Sequence, residues 1–237
     1  MPYQSVFARY ESKYLLTKTQ YQRIAAAMAP YMTPDPYGRT TIRNVYFDTE
    51  TYRLIRRSME KPVYKEKLRL RSYAQAGEDD EVFVELKKKY KGVVYKRRLA
   101  FPQRQAMDWL AGGQPPGEDS QIRREIGWFA ALYGALRPTV YLCYDREAWF
   151  GESGFRVTFD SNTRARQTEL TLAAPSGGTP ILGEELVLME LKCGGGIPLW
   201  MAQILTEEKI YQTSFSKYGT AYQTLIYPKI KEETRYV

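Results

Sequence analysis

The chain is rich in short stretches in which apolar and polar residues alternate, which is the pattern of half-buried β-strands. In YKEKLRLRSY at 64–73, Leu68 and Leu70 fall on one face while Lys67, Arg69 and Arg71 fall on the other. Similar alternation predicts further strands, which are FARYESKYLLT, TIRNVYFDT, EVFVELKKKY, VVYKRRLAF, TVYLCYDREAWF, FRVTFDSNTRAR and EELVLMELKC. Many strands joined by short turns predict an antiparallel sheet in an α+β fold.

Apolar residues spaced three and four apart predict helices among these strands. The helical stretches are TKTQYQRIAAAMAP, RQAMDWLAGG, SQIRREIGWFAALYGALRP, PLWMAQILTEE and SKYGTAYQTLIY. Such amphipathic helices need an apolar surface to cover, and the backs of the strands supply one. Two arrangements fit this pattern: a sandwich whose charged faces lie in water, and a closed barrel whose charges point inward while the helices pack outside.

The distribution of charge bears on that choice, because each strand carries its charges on one face. The residues of these faces include Glu11, Lys13, Lys67, Arg69, Arg71, Glu85, Lys87, Lys96, Arg98, Tyr144, Arg146, Arg156, Glu190 and Lys192. Lysine and arginine predominate, whereas a solvated face would mix the two signs more evenly. A barrel interior lined by cations needs an anionic occupant, and guanidinium groups grip phosphate oxygens in pairs. A chain of phosphates is the expected occupant.

Composition narrows the chemistry further. The 237 residues carry a net charge of +8 and no histidine, which excludes a Ser-His-Asp triad and an HExxH zinc helix. No GxxxxGK[ST] motif is present, which excludes a P-loop nucleotide site. Two cysteines without histidine exclude an ordinary structural zinc site within the chain. Carboxylates, lysine, arginine and tyrosine remain as the chemically active groups. Cys143 and Cys193 are expected to be thiols.

The order of the motifs resembles a known family. RYESKYLL is similar to the N-terminal ExK strand of the triphosphate tunnel metalloenzymes, the CYTH-like superfamily. More narrowly, RNVYFDT, EKPVYKEKLRLRSY, VFVELKKK, YKRRL, YDREAW, RVTFD, LMELK and SFSKY follow in the order of the VTC domain, in its bacterial stand-alone form. The resemblance spans about residues 7–227 and implies one domain over 1–237. The implied fold is a closed antiparallel eight-stranded β-barrel with a basic lumen and helices packed outside.

The resemblance also implies a function. VTC domains are polyphosphate polymerases, which transfer the γ-phosphate of ATP to phosphate or to a growing polyphosphate chain. The implied cofactor is Mn²⁺ or Mg²⁺, and the implied partners are ATP, phosphate and polyphosphate, with a membrane protein as a further partner for product export. Nucleic acid is not an expected partner. The absence of a long apolar run and of a signal peptide favours a cytoplasmic location, with membrane association through a partner.

Residue roles follow from the same resemblance. The expected phosphate-binding and catalytic residues are Lys13, Arg69, Arg71, Lys87, Lys96, Arg146 and Lys217. The expected substrate-binding residues are Lys67, Arg98, Tyr144, Arg156, Lys192 and Ser216, with Tyr144 at the nucleotide end. Glu190 falls on the metal-binding glutamate, and Glu11 and Glu85 are candidates for holding a metal or positioning a cation. Ser214 departs from the family pattern, because a lysine usually stands there.

Three other functions stay open at this point. The same interior could hydrolyse tripolyphosphate or a nucleoside triphosphate with water as the acceptor. It could also bind polyphosphate without turnover, an alternative that the Ser214 departure keeps open. Nucleic-acid binding is the third, but the basic residues alternate along separate strands and form no contiguous patch with exposed aromatics.

Overall fold

The computed structural model describes residues 10–233, and most of its strands are those that alternation predicts. They are β1 (Tyr10–Thr17), β2 (Met32–Pro34), β3 (Thr40–Asp48), β4 (Tyr64–Ser72), β5 (Glu81–Tyr90), β6 (Val93–Pro102), β7 (Arg137–Gly151), β8 (Arg156–Arg166), β9 (Thr179–Pro180), β10 (Leu186–Cys193) and β11 (Gln212–Thr213). The sequence pattern did not reveal β2, β9 and β11, because two or three residues are too few to show a period.

The helices also follow the predicted pattern, with two additions, one after β3 and one after the predicted closing stretch SKYGTAYQTLIY. They are α1 (Lys18–Met28), α2 (Arg53–Met59), α3 (Gln103–Leu110), α4 (Gln121–Tyr133), α5 (Leu199–Glu207), α6 (Lys217–Ala221), a π-helix (Tyr222–Ile226) and α7 (Tyr227–Glu233). Thr17 caps α1 by accepting a hydrogen bond from the Gln20 amide, and Ser120 caps α4 in the same way. Helix α2 was missed because its seven residues are too short and too basic to show an apolar stripe. No helix between residues 10 and 233 is long and apolar enough to cross a membrane.

All strands of the described chain belong to one antiparallel sheet. Its order is β11-β1-β10-β8-β7-β3-β4-β5-β6, with β2 added beside β7 and β9 beside β8. The predicted antiparallel sheet is confirmed. The closed eight-stranded barrel is not confirmed, because the sheet has eleven strands and no ladder joins β6 to β1 or β11 within residues 10–233.

The sheet is nevertheless strongly curved. Strands β1 and β5 lie six positions apart in the sheet order, which would separate them by about 29 Å in a flat sheet. The Nζ of Lys87 on β5 lies 3.6 Å from the Oε2 of Glu11 on β1. These side chains can meet only because the sheet curls round on the face that carries them, here called the concave face. The opposite face is the convex face.

Helices cover most of the convex face. Helices α3 and α4 bury one apolar cluster, which includes Leu68, Leu70 and Phe129, while α1 and α5 bury a second. Each fully buried leucine or phenylalanine stabilises the fold by roughly 1.5–3 kcal/mol. The two cysteines are free thiols, and each is buried in a different cluster.

The C-terminal helices do not pack on the outside of the sheet, as the prediction required. Val140 and Leu142 share the face of Tyr144 on β7, and they pack with Tyr218 of α6 and Ile226 of the π-helix. Helix α6 therefore lies on the concave side of the sheet, and the expectation that all helices pack outside is wrong. This placement brings the start of α6 into the interior.

Candidate active site on the concave face

A buried carboxylate organises one part of the concave face. Glu85 is 1% exposed and lies in register between Arg69 on β4 and Arg98 on β6. Its Oε2 accepts hydrogen bonds from Nε and Nη2 of Arg69 at 2.9 and 2.7 Å, and its Oε1 accepts one from Nε of Arg98 at 2.8 Å. The Nζ of Lys96 lies 2.7 Å from Oε1. Burial raises the pKa of Glu85, but Arg69, Arg71 and Lys96 outweigh it and hold that pKa well below its usual range.

This geometry assigns Glu85 a structural role. Both of its oxygens are in contact with cations of the protein, and the residue holds three cations on neighbouring strands in place. The metal role of Glu85 stays a prediction.

Three lysines stand in one row beside this cluster. Lys67 on β4 is opposite Lys87 on β5, which is opposite Lys96 on β6. Like charges on directly opposed residues destabilise a sheet. Burial and the charges of neighbouring lysines, Lys13 and Lys87 foremost, hold the pKa of Lys67 well below its usual range. Burial, only partly offset by Glu85, lowers the pKa of Lys96 to about 7.

A second group of acidic residues lies on β8 and β10. Asp160 is fully buried and receives two hydrogen bonds of 2.6 Å from the guanidinium of Arg146. Lys217, at the start of α6, contacts both Asp160 and Glu190, with its Nζ 3.5 Å from Oε1 of Glu190. Lys13 lies on the other side, and its Nζ is 3.4 Å from the same oxygen. Burial lowers the pKa of Lys217, but the two carboxylates outweigh it and raise that pKa above its usual value.

Helix α6 is fixed so that its first residues point inward. Ser216 caps α6 by accepting a hydrogen bond from the Gly219 amide at 3.0 Å, and it also accepts one from Nζ of Lys67 at 2.8 Å. A Cβ at Gly219 would lie only 3.1 Å from the Ser216 hydroxyl, so glycine suits this position. The Tyr218 hydroxyl donates to Oδ2 of Asp48, which anchors the helix to the end of β3. The predicted pair Ser216 and Lys217 is thus brought to the concave face.

Tyrosines form a further part of the wall. The Tyr144 hydroxyl accepts a hydrogen bond from Nη2 of Arg71 at 3.1 Å, and its ring centroid lies 5.1 Å from the guanidinium carbon of Arg146. The Tyr46 hydroxyl accepts one from Nη1 of Arg69 at 3.0 Å. Tyr46 is a site residue that is not among those expected from the sequence. Its alternation with Asn44, which accepts from Arg71, could have placed it on the concave face.

The remaining predicted residues lie beside Glu190. Lys192 is opposite Glu11 on β1 and opposite Arg156 on β8. Burial, partly offset by Glu190, lowers the pKa of Lys192 to about 8. The guanidinium of Arg156 lies over the Phe150 ring at 4.8 Å from the centroid. Asp160 is a site residue that sequence reasoning missed, although it closes the RVTFD motif.

Cations outnumber carboxylates on this face. The cations include Lys13, Lys65, Lys67, Arg69, Arg71, Lys87, Lys89, Lys96, Arg98, Arg146, Arg156, Lys192 and Lys217, and the carboxylates include Glu11, Asp48, Glu81, Glu85, Asp160 and Glu190. Such an excess of positive charge favours an elongated polyanion, since several cations on different strands can each contact it.

A divalent cation fits only part of this face. No group of three or more Asp, Glu, Cys or His side chains that could hold a metal occurs among residues 10–233. Glu190 and Glu11 nevertheless both lie beside the ammonium of Lys13, at 3.4 and 3.7 Å. Mg²⁺ and similar ions usually take one or two carboxylates and complete their shell with water and phosphate oxygens. Glu190 and Glu11 therefore fit a metal that a phosphate chain brings with it.

Comparisons with known proteins show a family and a similar fold. A family model described as the VTC domain matches residues 8–226. A crystal structure of a candidate adenylate cyclase from Bacillus halodurans is 16% identical, with a TM-score of 0.59 over 94% of this chain and 100% of that chain. A candidate adenylyl cyclase from Hippeastrum, described as having a dominant triphosphatase activity, is 16% identical, with a TM-score of 0.55 over 90% and 94% of the two chains. No curated protein matches the sequence.

Proposed function

The chain belongs to the VTC domain family, and from this premise we propose that it is a polyphosphate polymerase. The reaction transfers the γ-phosphate of ATP to phosphate or to the end of a polyphosphate chain. The bond between the γ-phosphorus and the β,γ-bridging oxygen breaks, a bond to an acceptor oxygen forms, and ADP leaves. We further propose that the concave face encloses the chain as a tunnel.

The observation that carries this proposal is the row formed by Lys67, Lys87 and Lys96. These like charges stand opposite one another on three adjacent strands, at a cost that a folded protein has little reason to bear. A phosphate chain along the row would convert this repulsion into attraction. A compact monovalent anion could contact only part of the row, so its length favours a chain of phosphates.

The arrangement of the side chains suits phosphoryl transfer. This reaction needs alignment of the attacking and leaving oxygens and neutralisation of charge on the transferred group, with little covalent help from the protein. Arg69, which Glu85 and Tyr46 hold on two sides, is a pre-positioned fork for phosphate oxygens. Arg146 and Lys217 supply two more cations near Glu190. The acceptor is already an anion, so no strong general base is required.

The metal has a limited part in this proposal. Glu190 and Glu11 would hold it, and when bound it would neutralise charge on phosphate oxygens and help to orient them. Tyr144 is proposed to lie toward the nucleotide, because its ring is in contact with Arg146 and Lys217. Delivery of the product to a membrane protein is also a proposal, as is a cytoplasmic location.

Incubation of the purified protein with ATP and Mn²⁺ tests the proposal, with both long-chain polyphosphate and free phosphate measured. We expect polymer from the wild type and from Glu184→Gln, which alters an exposed glutamate. Polymer should be lost in Glu190→Gln and in Arg69→Ala. Polymer formation that survives in both inner variants would contradict the proposed site.

Hydrolysis is the second candidate function, and Ser214 is the observation that favours it. A serine here removes a cation next to Ser216 and Lys217, so a second phosphate would be held less firmly as an acceptor. Free phosphate without polymer would assign water as the acceptor. Restoration of polymer in Ser214→Lys would then locate the difference at this position.

A further inference from the structure

A second cluster of positive charge lies on the convex face, away from the proposed tunnel. Cys143 on β7 has Arg43 opposite it on β3 and Arg164 opposite it on β8. Arg43 in turn has Ser72 opposite it on β4. Both arginines are half-buried. Alternation places this row opposite to Tyr144 and Asn44, whose side chains contact the cations of the concave face.

Much of the hydrogen-bonding capacity of this pair is unused. Arg43 donates from Nη1 to the Thr41 carbonyl at 3.2 Å, but its buried Nε has no partner among the described residues. The buried Nε of Arg164 has none either, and nor has the hydroxyl of Ser72. Buried donors without partners are rare in folded proteins and call for a specific explanation.

Nearby groups do not supply the missing negative charge. Within residues 10–233, no carboxylate lies within ion-pair distance of Arg43 or Arg164. Asp145, one row along the strands, accepts hydrogen bonds from Thr41 and Asn162 and pairs with Arg39 at 3.6 Å.

A third arginine adds to the charge of the cluster. Arg166 lies in the adjacent row and donates to the backbone carbonyls of Thr168, Glu169, Pro175 and Gly177. Its hydrogen bonds are therefore made to the loop that follows β8, and its guanidinium carbon lies 3.7 Å from the centroid of the Tyr141 ring. No carboxylate of residues 10–233 forms an ion pair with it. Burial raises the pKa of Cys143, while a hydrogen bond from its thiol to the Gly177 carbonyl and the charges of Arg164, Arg166 and Arg43 lower it, as expected if the three guanidinium groups lie near the thiol.

We propose that Arg43 and Arg164, with the Ser72 hydroxyl beside Arg43, form an oxyanion site for a phosphate group on the convex face. The two guanidinium groups stand on either side of Cys143 and can contact one tetrahedral anion from both sides. Phosphate suits the site because it offers several acceptor oxygens and more than one negative charge. The inference does not rest on the proposed polymerase activity, because it uses no residue of the concave face.

Arginine modification by phenylglyoxal, read residue by residue by mass spectrometry, tests this proposal on the full chain. The probes are inorganic phosphate, long-chain polyphosphate and, at matched ionic strength, chloride. We expect phosphate to slow modification of Arg43 and Arg164 with one shared concentration dependence. Protection at lower concentrations of polyphosphate would identify the end of a chain as the source of the phosphate group.

Substituted variants distinguish one phosphate site shared by Arg43 and Arg164 from two arginines that act independently. In Arg43→Gln, phosphate should protect Arg164 about tenfold less effectively, which corresponds to the loss of one charge-assisted hydrogen bond. Arg43→Lys keeps the charge but lacks the guanidinium fork, so protection of Arg164 in this variant should lie between that in the wild type and that in Arg43→Gln. Arg104→Gln, which alters an exposed arginine paired with Asp79, should leave the protection unchanged. Equal protection by chloride, or undiminished protection of Arg164 in Arg43→Gln with tripolyphosphate binding intact, would overturn the proposal.

Discussion

Replacement of Lys67 by methionine should have opposite effects on folding and on binding. Lys67 stands opposite Lys87 in the row of lysines and donates one hydrogen bond to Ser216. Methionine keeps much of the side-chain volume and removes the charge. In the unliganded protein this removes repulsion, whereas in the complex it removes attraction to the phosphate chain. A lysine with a purely structural role would not show this reversal of sign.

The magnitude follows from Coulomb's law. Two ammonium groups about 6 Å apart repel by roughly 2.8 kcal/mol at an effective dielectric constant near 20, and salt screening at physiological ionic strength removes about half of that. The neighbouring charges of Lys13, Lys65 and Arg69 add to the repulsion. The lost hydrogen bond to Ser216 costs about 1 kcal/mol. We therefore expect Lys67→Met to raise the free energy of unfolding by about 1 kcal/mol and to weaken tripolyphosphate binding about tenfold.

Urea unfolding and isothermal titration calorimetry measure the two effects. The folded state lowers the pKa of Lys67, so it binds fewer protons than the unfolded state and the penalty of the charge is largest at low pH. The gain in stability should therefore shrink as the pH rises from the lowered pKa toward the ordinary lysine value near 10.4. Lys88→Met, on the convex face beside Glu125, is the matched control. A loss of stability together with unchanged tripolyphosphate affinity would refute the reasoning.

Three further predictions follow from the same contacts. Lys96 and Lys192, with pKa values of about 7 and 8 in the free protein, should take up protons when tripolyphosphate binds. The affinity for tripolyphosphate should therefore fall from pH 7 to pH 9. Calorimetry in buffers of different ionisation enthalpy would show the proton uptake, and a pH-independent affinity would contradict the prediction. Glu85→Gln should lower the free energy of unfolding by about 3 kcal/mol, because it leaves buried cations unpaired. Tripolyphosphate should restore part of the lost stability. A loss below about 1 kcal/mol in urea unfolding would count against this prediction. Tyr133→Phe removes a 2.9 Å hydrogen bond to Glu66 on the convex face and should cost about 1.5 kcal/mol in urea unfolding without changing tripolyphosphate affinity; a weaker affinity would show that the two faces are coupled.

The strands and their faces could be predicted from sequence because both depend on local alternation. Leu68 and Leu70 are buried under the helices, as the period of two requires. The concave face collects Lys67, Arg69 and Arg71 from a single strand for the same reason. Charged residues of one strand thus indicated where the site lies before any partner strand was known.

The partners of these residues could not be predicted, because they depend on the curvature of the sheet. Glu11 and Lys87 meet across the interior although 76 positions of chain separate them. Alternation showed that Glu85 faces inward, but only the cross-strand register shows that cations occupy both of its oxygens. Helix α6 was predicted as a helix, yet its place on the concave side follows from packing of Tyr218 and Ile226 on β7.

The most direct test of the account compares two adjacent lysines that point to opposite faces of β5. Calorimetry would measure tripolyphosphate binding to Lys87→Met, on the concave face, and to Lys88→Met, on the convex face. The account predicts about tenfold weaker binding for Lys87→Met and a change of no more than about twofold for Lys88→Met. Equal effects of the two substitutions, or a larger effect of Lys88→Met, would contradict the assignment of the concave face as the phosphate-binding site.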